Sequence, residues 1–121
     1  MLDIDMARRR RFALVRASGS IVADSEVDTI AGAIEFIPSD DDLVIDLSEL
    51  TELSQGCART LRLLVQSRVA WSGLVVVAST PGVVAQLQNC GIDRIAPVVA
   101  TLHEAARELG RSAVRDARVG V

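Results

Sequence analysis

The sequence predicts an α/β domain: a mixed, largely parallel sheet of about five strands with four helices and one antiparallel edge strand. Three observations lead there. Leu43-Val44-Ile45-Asp46-Leu47 and Leu74-Val75-Val76-Val77-Ala78 are nearly continuous apolar runs, as in strands covered on both faces. Segments of helical period stand before and after each run. Strand and helix therefore alternate along most of the chain, and crossover helices make neighbouring strands parallel.

The elements follow in order. Leu2 to Met6 alternates apolar and acidic residues, as a half-buried strand does. Phe12 to Ala17 is a second strand, stopped by Ser18-Gly19 and continued briefly by Ile21 to Ala23. Arg8-Arg9-Arg10-Arg11 lies between these strands, too short for a helix, and reads as a hairpin connection. Asp24 or Ser25 opens the first helix, with Glu26 and Asp28 at its positive end. Val27, Ile30, Ala31, Ile34 and Ile37 share one face of it, and Pro38 ends it. After the turn Ser39 to Asp42 comes the Leu43 strand, and Ser48 to Leu53 reads as a short loop.

Ser54 begins the longest helix, which runs to about Trp71 with Cys57, Leu61, Leu64, Val65 and Arg68 at helical spacing. Gly73 separates it from the Leu74 strand. Thr80 caps a third helix with Pro81 at its first position, and Gly91 stops it. Ile95 to Val99 is the last strand. Thr101 and Glu104 form a capping box at the start of the fourth helix. Residues 1–110 read as one domain, and 111–121 as a C-terminal tail in which the helix frays.

Composition narrows the function classes. With 50% hydrophobic and 24% charged residues, the chain of 121 residues can build one core. The aromatics are Phe12, Phe36 and Trp71, so bases find no stacking platform. A net charge of -3 argues against a broad nucleic-acid surface. The Arg8–Arg11 run is better read as a solvated hairpin that blunts a sheet edge than as a patch for nucleic acid or anionic lipid. No apolar stretch reaches the roughly 18 residues of a membrane span. The start, Met1-Leu2-Asp3-Ile4-Asp5, is not a signal peptide. Two cysteines make no secreted disulfide framework, and the expected compartment is the cytoplasm. Cys57 and Cys90 fall at opposite edges of the predicted sheet, so no internal disulfide is expected. A helix start open to solvent would make Cys57 the thiol that links two copies.

No catalytic constellation emerges. Cys57 at a helix start is where some phosphatases hold a nucleophile, but Cys57-Ala-Arg-Thr-Leu-Arg62 is one residue short of the Cys-x5-Arg spacing and has no glycine-rich cradle. His103, the single histidine, lies far along the chain, and no cluster suggests a triad or a metal. Ser39-Asp40-Asp41-Asp42 lacks the spaced oxygens and distal Glu of a calcium loop. The expectation is a non-enzyme without metal or cofactor, with Cys57 a small buried hydrophobe.

From Ile4 to Leu109 the sequence resembles STAS domains, the fold of bacterial anti-sigma-factor antagonists. The stretches that carry the resemblance are Phe12-Ala-Leu-Val-Arg-Ala-Ser-Gly19, Leu43-Val-Ile-Asp46-Leu-Ser-Glu-Leu50, Trp71-Ser-Gly73-Leu-Val-Val-Val, Cys90-Gly91-Ile92 with Ile95, and Leu102-His103-Glu104-Ala105. The resemblance implies a protein-binding regulatory module whose partner is an anti-sigma factor. The alternative is a scaffold or accessory subunit of a signalling complex or lipid-transport ATPase. Oligomeric state stays open, a dimer included.

The family's loop reads near Asp-Ser-Ser-Gly and carries a phosphate-accepting hydroxyl. Here it reads Ser54-Gln55-Gly56-Cys57, and counting from Asp46 puts the acceptor position on Gly56, which has no hydroxyl. Ser54 could substitute, though a helix cap is its better reading. The family's Gly-x-Leu-Asp also departs, becoming Gly19-Ser20-Ile21-Val22 with Asp24 close by. The partner-binding residues so implied are Leu53, Ser54, Gln55, Gly56, Cys57, Arg59, Arg62 and Asp24.

Overall fold

Five apolar-rich strands pair into one sheet, and the computed structural model describes the chain over residues 2–9, 11–70 and 72–119, with side chains as far as residue 110. Strand β1 (Leu2–Arg8) turns back into β2 (Ala13–Ile21); helix α1 (Asp24–Glu35), strand β3 (Leu43–Leu53) and helix α2 (Gln55–Val69) follow. Strand β4 (Leu74–Val77), helix α3 (Pro81–Cys90), strand β5 (Val98–Val99) and helix α4 (Leu102–Val119) complete the chain. The sheet order is β1-β2-β3-β4-β5. Strand β1 is antiparallel to β2 and every other pair is parallel, as the sequence predicts.

The two faces of the sheet carry two cores. Val15, Ala17, Leu43, Ile45, Leu47 and Val76 pack with α1, α2 and α3 through Val27, Ile30, Ala58, Leu61, Val65, Val83 and Leu87. Leu14, Val44, Val75 and Val77 point the other way and meet α4 through Ala105 and Leu109. Burial of each large aliphatic side chain contributes roughly 1.5–3 kcal/mol, so the strands hold their register. Asp46 is the acid sunk into this sheet, 2% exposed. It accepts from Arg16 Nε at 3.1 Å and from the Ser48 amide at 2.9 Å.

Several boundaries differ from the sequence reading. Residues 48–53 are not a loop but the second half of β3. The last strand is only Val98–Val99, because Ile92–Arg94 winds into a 3₁₀ turn after Gly91. Gly91 itself sits at φ 86°, the left-handed conformation that ends α3. The longest helix is α4, not α2: it runs from Leu102 through Gly110 to Val119. Helix α2 ends at Val69, and Trp71 lies outside the described residues. Thr80 occupies the cap position of α3, but its hydroxyl donates to the Leu50 carbonyl at 3.1 Å instead of capping. At α4 the Thr101 hydroxyl does accept from the Glu104 amide at 3.2 Å, while Glu104 Oε2 reaches back to the Ala100 amide.

Arg68 has a role its apolar spacing hides. It is 7% exposed, and its guanidinium donates to the carbonyls of Ile37, Pro38 and Asp41. Helix α1 has no basic residue in its last turn, so Arg68 meets the chain leaving that negative end from across the fold. At the neighbouring hairpin, Arg8 donates to Asp41, and this bond holds the Asp41 carboxyl below the usual carboxylate range. Arg10 lies outside the described residues.

Candidate functional site

Strand β4 ends at Val77, opposite Asp46, but β2 and β3 continue as a pair to Ile21 and Leu53. The result is a two-stranded ledge that rises above the carboxyl end of the parallel sheet. Two register shifts build it. Arg16 faces Asp46 while Ser18 faces Glu49, and Gly19 faces Leu50 while Ser20 faces Glu52. Each shift places one extra residue in β3, which bends and twists the ledge. The Thr51 hydroxyl donates to the Gly19 carbonyl at 2.8 Å, and Thr80 ties the Leu50 carbonyl to the start of α3.

At the top of the ledge both strands turn into helices side by side. The Ser54 amide donates to the Ile21 carbonyl at 3.0 Å, so the connection from β3 to α2 is fastened to the end of β2. Ser54 Oγ accepts from the Cys57 amide at 3.2 Å, which is an N-cap bond. Helix α2 has no acid in its first turn, so its positive end is not neutralised by its own residues. Helix α1 differs: Glu26 Oε1 accepts from the Val22 and Ala23 amides at 3.0 and 3.2 Å, and these bonds hold its carboxyl below the usual range.

The residues singled out from sequence divide into three groups. Gln55, Gly56 and Arg59 are exposed on the first turns of α2, and Asp24 is exposed at the start of α1 beside them. A Cβ built on Gly56 meets no heavy atom within 4 Å, so the backbone there is open to an approaching surface. Leu53 and Cys57 are 5% and 2% exposed and belong to the core beneath the turn. Cys57 is therefore not an open thiol at a helix start; Cys90, half-buried, is the more accessible of the two free cysteines. Arg62 is exposed but stands apart. Its guanidinium lies 3.8 Å from a Cβ built on Gly91, at the far end of α3.

The sequence reading missed Val22. Val22 is 50% exposed at the exit of β2, next to the Ser54 fastening. A large aliphatic residue directly after Ile21, where the strand gives way to a helix, is the signal that could have found it. Thr51 could not be placed while its segment read as a loop. No group of three or more His, Cys, Asp or Glu able to hold a metal occurs among the described residues, and none of their helices is long and apolar enough to cross a membrane.

No protein-family model and no curated protein matches this chain. Solved structures do. An anti-sigma factor antagonist from Mycobacterium paratuberculosis superposes with a TM-score of 0.77 at 23% identity, covering 90% of this chain and 94% of that one. The anti-sigma factor antagonist SpoIIAA in its unphosphorylated form gives 0.62 at 16% identity, over 88% of this chain and 95% of that one. An uncharacterised protein from Shewanella loihica with a SpoIIAA-like fold gives 0.55 at 14% identity, over 89% of this chain and 93% of that one. The chain has the SpoIIAA-like fold of the STAS domains that its sequence resembles.

Proposed function

We propose that this protein is a non-catalytic regulatory module of the anti-sigma-factor-antagonist kind, acting in the cytoplasm by binding an anti-sigma factor. One observation carries the reading: the ledge at the carboxyl end of the sheet presents an unobstructed turn, Gln55-Gly56, on a fold whose solved neighbours are named as such antagonists. The contact surface is Gln55, Gly56 and Arg59, flanked by Val22 and Asp24. Ser54 holds the turn in place, and Leu53 and Cys57 support it from the core, while Arg62 stands apart from it. Position 56 has no hydroxyl, so the protein binds without the phosphate switch of its relatives.

The test is titration calorimetry with the cognate anti-sigma factor. Gln55→Trp or Arg59→Glu at the centre of the contact weakens binding by about 2 kcal/mol or more, roughly thirtyfold. Both positions are exposed, so thermal stability moves by no more than about 0.5 kcal/mol. Undiminished affinity in both variants would refute the assignment of this surface.

A further inference from the structure

The arginine run plays no part in the ledge, yet it borders an unassigned concavity on the face of the sheet that α4 covers. A cavity of about 560 Å³ lies between the hairpin and the first turns of α4, lined by Arg9, Arg11, Phe12, Leu102, His103 and Ala106. Small-molecule sites span roughly 300–1,000 Å³. Phe12 and Leu102 form its apolar floor, because both pack onto the second core through their other sides. Arg9, Arg11 and His103 supply its polar rim. None of these three side chains has a hydrogen-bond or ion-pair partner among the described residues.

Among the described residues, the acids of α4 face away from this rim. Glu104 and Glu108 line a separate cavity with Val99 and Arg107. On a helix of 3.6 residues per turn, residues 104 and 108 stand about 100° or more round from both 103 and 106. An acidic protein of net charge -3 thus keeps a local cationic rim around an apolar floor. Arg8, the other described arginine of the hairpin, is held by Asp41 and fixes the base of the turn.

We propose that this cavity binds a small amphipathic anion, with an apolar chain on Phe12, Leu102 and Ala106 and a carboxylate or phosphate head between Arg9, Arg11 and His103. Arginine suits such heads because its planar fork donates two parallel charge-assisted bonds. The half-buried Phe12 packs inward on the second core, so the structure favours a ligand that enters over a hairpin that inserts into a bilayer. A free acyl or alkyl anion and the head of a lipid share this chemistry.

The experiment uses the full chain and dodecyl phosphate below its micelle concentration, with dodecanol, inorganic phosphate and anionic phospholipid vesicles as separate arms. Saturable binding by calorimetry is expected for dodecyl phosphate, about tenfold or more tighter than for dodecanol or inorganic phosphate alone. The amide resonances of Phe12, His103 and Ala106 should shift with it. The Arg9→Ala/Arg11→Ala double variant, and separately Ala106→Glu at its exposed position, should each lose about tenfold while circular dichroism stays unchanged. Three results would overturn the proposal: no saturable binding, equal binding by the double variant, or binding to vesicles alone with those resonances unmoved.

Discussion

If the proposed function holds, position 56 is the place where a phosphoryl group would be accepted at the start of α2, and acceptance needs a side-chain oxygen there. Gly56 has none, and the hydroxyls around it are engaged: Ser54 Oγ caps α2, Thr51 Oγ1 is bonded to Gly19 and Thr60 Oγ1 to the Gly56 carbonyl. Incubation with ATP and the cognate kinase should therefore leave the intact mass unchanged. Gly56→Ser should restore acceptance, seen as a gain of about 80 Da. The new Cβ meets nothing within 4 Å, so the variant folds, and serine in a helix is slightly better than glycine. A phosphoryl group mapped to Ser54 or Thr51 of the unmodified sequence would show that one of these hydroxyls leaves its bond to react.

Among the elements, those whose pattern is local were legible and those shaped by distant contacts were not. The apolar runs at Leu43–Leu47 and Leu74–Val77 read as buried strands, and the structure buries every residue in both. Beyond Leu47 the buried residues are Leu50 and Leu53, at a spacing of three, because two bulges interrupt the alternation. Two apolar residues three apart break the alternation of a strand and are too few to make a helix, so the segment read as loop and the ledge was invisible. At the last strand, five residues from Ile95 to Val99 promised a longer element. Only two pair, since the 3₁₀ turn absorbs the chain before them. The candidate site residues at the first turn of α2 were chosen through their resemblance to a known loop. Of these, Leu53 and Cys57 are apolar and are buried beneath the turn, while Gln55 and Gly56 are exposed.

Arg68 is the clearest case of an element finished by a residue 31 positions away, its bond to Ile37 closing the end of α1. Three bonds from a charged donor at about 1.5–3 kcal/mol each outweigh a desolvation cost of several kcal/mol, leaving a smaller net stabilisation. The Nε atom has no partner, which trims that balance further. Arg68→Met keeps most of the apolar stem but abandons three carbonyls. It should lower stability by about 2–4 kcal/mol in urea titrations followed by circular dichroism. A change under about 0.5 kcal/mol would mean that water satisfies those carbonyls equally well.

The whole molecule has two ends, because every crossover helix starts at the carboxyl end of one parallel strand and finishes at the amino end of the next. Cys57 lies in the first turn of α2, at the carboxyl end; Cys90 is the last residue of α3, at the amino end. Helix α3 has ten residues and so advances about 15 Å between those ends. A disulfide needs Cα atoms within roughly 7 Å, so joining these thiols would unravel a helix at a cost near the whole stability of about 5–15 kcal/mol. Both cysteines are free in the structure. Burial then chooses between them: Cys57 is 2% exposed, while Cys90 is half-buried with its Sγ bonded to the Leu87 carbonyl. Mild oxidation should therefore give a covalent dimer through Cys90 on non-reducing electrophoresis. Cys90→Ser should abolish that dimer and Cys57→Ala should leave it. A dimer that survives Cys90→Ser, or a monomer with a mapped Cys57–Cys90 bond and unchanged circular dichroism, would contradict this placement of the two helix ends.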